Sequence, residues 1–203
     1  PRPCSAPPAA PAKAPLPRSL WVLSAAWALC FATLTANIAS INLAGKAGSP
    51  GPAADTAPLA VAIAAVAAGQ PLVHHLTQRL GSRRRAYVAC ALLGCAGGLG
   101  AAGAAAVESW GLLLLAAAPL GVSVSSGQNY RYGALLLVPA ERHPDAIAAV
   151  LAGGIAGAVL GPEYAKHTRD AVPGAPYAGI FLTTAAVNAL LAILLFAGLP
   201  DFG

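Results

Sequence analysis

Six stretches of this 203-residue chain stay apolar for about twenty residues or more. At about 1.5 Å of rise per residue, that is the length a helix needs to cross roughly 30 Å of hydrocarbon. The stretches fall at 20–44, 58–80, 86–107, 110–138, 145–165 and 173–199. A water-soluble reading would require a charged surface. Only 9% of the residues are charged and 57% are hydrophobic, against roughly a quarter charged in soluble domains. The solvent for these segments is therefore a bilayer. Unbroken apolar runs lack the two-residue alternation of membrane strands, which excludes a barrel. The prediction is an all-α membrane protein: a six-transmembrane-helix bundle over 20–203, preceded by a disordered cytoplasmic tail over 1–19 that is rich in Pro and Ala.

The net charge of +5 would raise the question of nucleic acid in a soluble protein. Here the basic residues sit in short connections between apolar runs, and no polar face exists to bind a nucleic acid, so none is expected as a partner. The same residues set orientation. Arg2, Lys13, Arg18, Arg79, Arg83, Arg84, Arg85 and Arg142 fall on one side, and Lys46, Lys166 and Arg169 on the other. Basic loops stay inside, so both termini are expected in the cytoplasm, in a multi-pass protein of a plasma or inner membrane. Of the four cysteines, Cys30, Cys90 and Cys95 lie in apolar runs, and Cys4 lies in the tail. The spacing of Cys90 and Cys95 fits neither a zinc pair nor a redox pair, so no metal and no cofactor is expected.

Polar groups inside hydrocarbon are costly and mark a solute path or an internal contact. The first run carries Thr33, Asn37 and Ser40 on one helical face. The second carries Gln70, His74 and His75, and the fourth carries Ser125, Ser126, Gln128, Asn129, Tyr130, Arg131 and Tyr132. The fifth carries Glu163 next to Gly161-Pro162, and the third has almost nothing polar. The sixth has only Thr183, Thr184 and Asn188. Runs one, two, four and five are thus predicted to face a cavity, and runs three and six to support them from the lipid side. The candidate solute-binding or coupling residues are Asn37, Gln70, Gln128, Arg131 and Glu163. By helical rise Arg131 lies about 12 Å, and Glu163 about 25 Å, from the cytoplasmic ends of their helices. Such a mismatch rules against an ion pair between them. Arg131 is either a cavity cation or a snorkelling anchor, and Glu163 either a proton-carrying carboxylate or a solvated residue at a helix end. Gly153, Gly157 and Gly161 recur at every fourth position before Pro162, a smooth face for close helix packing.

The connection after the second run, with Arg79, Gly81 and Arg83 to Arg85, resembles the signature loop between helices 2 and 3 of the major facilitator superfamily. That family's pattern has Gly and Asp where this chain has His74 and Gln78. The acid through which the loop latches the two halves in that family is thus missing. The loop residues singled out are Gln78, Arg79, Gly81, Arg83 and Arg84. Arg131 lies where the family often has a cavity arginine, and Gly157, Gly161 and Pro162 resemble its Gly-rich element ending in Gly-Pro. The resemblance covers about 20–199. It implies half of a twelve-helix fold, with a C-terminal six-helix half missing. It also implies secondary active transport of a small polar or anionic solute by alternating access, coupled to protons. A self-contained six-helix channel or carrier and a non-transporting membrane scaffold remain as alternatives. An intramembrane serine protease fails because the sixth run has no His to act as base.

Overall fold

The computed structural model describes residues 15–202, so most of the predicted tail, with Arg2, Cys4 and Lys13, lies outside the described residues. Among the described residues, the secondary structure is entirely helical. Helix α1 spans Arg18–Ala47, α2 Ala57–Leu80, α3 Arg83–Ala106, α4 Trp110–Gln128, α5 Tyr130–Leu135, α6 His143–Thr168 and α7 Ala178–Gly198. Short 3-10 turns at Pro52–Ala54 and Ala140–Arg142 complete the set. With α4 and α5 taken as one span, six segments are long and apolar enough to cross a membrane.

Local chemistry explains the boundaries. Leu80 ends α2 because Gly81 takes a left-handed φ of 63°, and Ser82 then caps α3 by accepting a hydrogen bond from the Arg85 amide. The third helix consequently opens on its three arginines, three residues before the predicted start at 86. Ser109 caps α4 in the same way, through the Leu112 amide at 3.4 Å. The fourth run is predicted as one helix over 110–138, but the structure interrupts it at Asn129. The Asn129 side chain donates to the Ser125 carbonyl at 3.0 Å, and its backbone amide turns to Ser126 instead. A side chain competing for an intrahelical carbonyl tightens the turn to the 3-10 type. The last helix begins at Ala178 rather than 173, because Gly174 (φ 76°) and Tyr177 (φ 70°) turn the chain first.

Consecutive spans run antiparallel. One end of the bundle gathers the start of α1, the α2–α3 loop and the segment after α7, where the Arg83 amide donates to the Phe202 carbonyl at 2.8 Å. The other end gathers the α1–α2 and α3–α4 loops, joined by the Trp110 indole donating to the Ala54 carbonyl at 3.1 Å. Helix α1 packs on α6 and α7, α3 on α4 and α7, and α2 on α4. In hydrocarbon no hydrophobic gain drives helices together, so association rests on close packing and hydrogen bonds. The sequence supplies the means. A side chain at Gly153, Gly157 or Gly161 would run into the α1 backbone at Ser24, Ala28 and Ala32, and one at Gly98 into Ala185 of α7.

Two apolar clusters fill the interior. At the first end, Leu20, Leu23, Tyr87, Tyr130, Leu195 and Leu199 pack together. At the other end, Ile41, Ala101, Leu113, Leu120 and Phe181 do so. Between the two, at mid-depth, Asn37, Ser123, Thr184 and Asn188 form a buried polar layer. The expectation that the sixth run only supports from the lipid side is therefore corrected. Its helix α7 is packed on α1 and α3, and turns Thr184 and Asn188 fully inward. The second run is the more peripheral one, with only 17% of its apolar window buried, against 56% for the fourth.

Candidate solute site

The polar layer is a connected chain of hydrogen bonds. Ser123 of α4 donates to Asn188 Oδ1 at 2.7 Å, and Asn188 Nδ2 donates to the Thr184 carbonyl at 2.9 Å. Thr184 Oγ1 donates to Asn37 Oδ1 at 3.2 Å. Tyr164 of α6 lies 3.1 Å from the same Thr184 oxygen. A threonine hydroxyl has one proton, and this one goes to Asn37, so the Tyr164 hydroxyl is the donor to Thr184. Four spans are thereby tied at one level. Ser123 and Asn188 fit because Gly94 of α3 has no side chain; a Cβ there would collide with both.

Asn37 also faces a cleft of about 60 Å³ between α1, α2 and α4, whose walls include Leu34, Ile41, Leu59, Val66 and Val124. Its side chain is the one polar group among the cleft's lining residues. Gln70 lies one turn beyond Val66 on α2. It accepts from Asn129 Nδ2 at 3.0 Å and donates to the Ser125 carbonyl at 3.4 Å. Gln70 and Asn37 thus flank the same α2–α4 seam at different depths.

Gln128 and Arg131 point the other way around α4 and α5. They line a second, smaller crevice with Trp27, Gly127, Val150 and Leu151, between α1 and α6. The Arg131 guanidinium sits 5.0 Å from the Tyr132 ring centre, and its buried Nε has no hydrogen-bond partner among the described residues. Glu163 is set apart from both places. Its side chain is 59% exposed and lies 3.5 Å from His167, one turn along α6. Pro162 sits within an unbroken α6. The five candidate residues are thus distributed over three places: Asn37 and Gln70 along one seam, Gln128 and Arg131 in a crevice, and Glu163 on an outer helix face.

The loop residues are better connected than the sequence indicates. The Arg84 guanidinium donates to Asp201 Oδ2 at 2.7 Å and to the Leu199 carbonyl at 3.2 Å, and stacks 5.5 Å from the Phe196 ring centre. Ser82 donates to Asp201 Oδ1 at 2.7 Å, and Arg85 approaches the same carboxylate at 3.8 Å. The Ser82 hydroxyl, followed by the charges of Arg84 and Arg85, holds the Asp201 carboxyl below its ordinary pKa. Gln78 bonds His74 at 3.0 Å, and both are exposed, as is Arg79. An acid thus meets this loop from the segment after α7, at Ser82 and Arg84 rather than at position 78.

From the sequence, Thr184 and Asn188 fall on a helix read as lipid-side, and Ser123, Tyr164 and Asp201 are given no place in a solute site. Thr184 and Asn188 are four apart and so share one face of a helix. That shared face was the available signal. For Asp201 no local signal exists, since its partners are more than a hundred residues away.

No family model matches the chain, and no solved structure matches it. Against curated proteins it is similar to the riboflavin transporter of Brucella anthropi, with 31% identity over 179 residues. The match takes in 88% of this chain and 45% of that relative, so the chain spans about half the relative's length. Six helices of spanning length and a membrane-transporter relative support an integral, multi-pass membrane protein.

Proposed function

We propose that this chain is the N-terminal six-helix half of a secondary transporter with a major facilitator architecture. It moves a small solute by alternating access, with both ends of the half on the cytoplasmic side. The observation that carries the reading is the similarity to a transporter over 88% of the chain, on a bundle that carries a continuous buried polar layer at mid-depth. A layer of amides and hydroxyls in hydrocarbon is expensive unless it meets partners or a solute. A second six-helix unit would complete the molecule, as the 45% coverage of the relative supports.

Riboflavin, the solute named for the relative, is the first candidate. It is an uncharged amphiphile with a flat tricyclic ring, a rim of carbonyl and ring-nitrogen acceptors, and a polyol tail. The apolar cleft beside Asn37 suits the rim of such a ring, and the amides of Gln70 and Asn129 along the same seam suit the polar remainder. Arg131 and Glu163 are kept as the residues that would serve an anionic solute or a proton. Proton coupling fits this reading only through Glu163, whose exposure leaves it open to water or to a facing second half.

The test is uptake of labelled riboflavin by the full-length polypeptide in a riboflavin-auxotrophic host, at several external pH values. Saturable uptake that a proton uncoupler abolishes is the expected result. Robust uptake that is blind to uncoupler and to Glu163→Gln would remove the proton from the scheme. Saturable uptake by residues 1–203 alone would replace the half-transporter reading with a self-contained carrier.

A further inference from the structure

Asn37 is held by its neighbours yet has hydrogen-bonding capacity to spare. Asn37 is more than nine-tenths buried. Its Oδ1 accepts from Thr184, and among the described residues its Nδ2 makes no hydrogen bond. The same residue forms part of the cleft wall between α1, α2 and α4, where every other lining side chain is apolar or absent. Nδ2 is not among the fully enclosed side-chain atoms that lack a partner, so it keeps an open face in the wall of the cleft. An amide N–H left open in an apolar wall is free to donate to an acceptor that enters.

That amide is held from other helices. The Asn188 amide cannot rotate, because one of its ends faces the Thr184 carbonyl, which only accepts, and so must be its nitrogen. Its oxygen therefore faces Ser123, which donates. The Thr184 hydroxyl takes its proton contact from Tyr164 and directs its own proton at Asn37. An amide whose oxygen is engaged in this way turns its nitrogen away from α7.

We infer that Thr184 is a positioning residue for solute recognition. It holds the Asn37 amide so that Nδ2 serves as a single hydrogen-bond donor in the apolar cleft. The ligand this arrangement takes is a flat ring edge bearing a carbonyl or ring-nitrogen acceptor. The cleft is too small for a whole tricycle and large enough for the rim of one. This inference rests on the transport reading above, and adds which group reads the solute and which group aims it.

The experiment uses the full-length polypeptide, with riboflavin as the probe and initial uptake rates measured against concentration at matched membrane abundance. Asn37→Ala and Thr184→Val are each expected to raise KM about tenfold, and Thr184→Ser to restore it. In the Asn37→Ala background, Thr184→Val should add no further rise in KM. A merely structural role for Thr184 would lower abundance and maximal rate and leave KM in place; that outcome overturns the inference. So does a Thr184→Val effect that persists undiminished in the Asn37→Ala background. If the unmutated protein neither takes up nor binds riboflavin, the solute assignment falls and the positioning role with it. That result is distinguishable from a KM indifferent to Thr184.

Discussion

Gly94 matters for what it leaves room for. A Cβ at this position would collide with Asn188 Oδ1 and Ser123 Oγ, whose mutual hydrogen bond closes the polar layer. Gly94→Ala should therefore force the pair apart, with a cost of about 1–3 kcal/mol typical of overpacking a close-packed interior. The check is a lowered midpoint of thermal unfolding in detergent, and Gly103→Ala, where nothing stands within 4 Å, should not lower it. Asp201 offers a second residue-scale prediction. Its depressed pKa means the carboxylate form is the one that is held, so the contact is complete above the ordinary carboxylate pKa. It is lost as pH falls through the lowered value. Because the Ser82 hydroxyl is the largest cause, Ser82→Ala should raise the Asp201 titration midpoint toward the ordinary value, read by carboxyl NMR. An unmoved midpoint would assign the depression to the arginines alone.

At the scale of elements, the fit between α1 and α6 depends on three glycines spaced by four. The α1 backbone passes against Gly153, Gly157 and Gly161, so a bulky residue in the middle of the row has nowhere to go. Gly157→Val should separate the two helices and abolish stable assembly, seen as loss of the monodisperse species on gel filtration in detergent. Ala158→Val, on the exposed side of the same helix, should be tolerated. A Gly157 variant that assembles normally would show that the row is not the contact that holds the pair. The α2–α3 loop supplies a different kind of element contact. Arg84 and Ser82 fasten it to the segment after α7. The separation was legible as a basic loop and was not legible as a latch, because nothing near Arg84 in sequence carries the acid.

At the scale of the molecule, the two ends of the bundle differ in chemistry. The start of α1, the arginine-rich α2–α3 loop and the residues after α7 share one end, and the turn bearing Lys166 and Arg169 lies at the other. With basic loops held inside, the first end is the cytoplasmic one under the proposed topology. In a background with the native cysteines replaced, an impermeant maleimide applied to intact cells should label Lys166→Cys and spare Gln78→Cys, both exposed positions. The reverse pattern would invert the protein in the membrane and, with it, the side from which the Asn37 cleft is reached.

Span number, span type and the loops between spans were set by the sequence alone. Hydrocarbon leaves the backbone of a non-barrel no partner except itself, so long apolar runs with few charges have one solution. The expectation of an all-α bundle of six crossing segments matches the structure on that ground. Which polar groups meet was decided only by the tertiary structure. Helical periodicity places a residue on a face but does not say what that face packs against. Thr184 on α7 reached Asn37, 147 positions away, and Asp201 reached Ser82, 119 away, through helix pairing that local pattern does not encode. For the same reason Gln128 and Arg131 were separated from Asn37 and Gln70, although all four had been expected to serve one cavity.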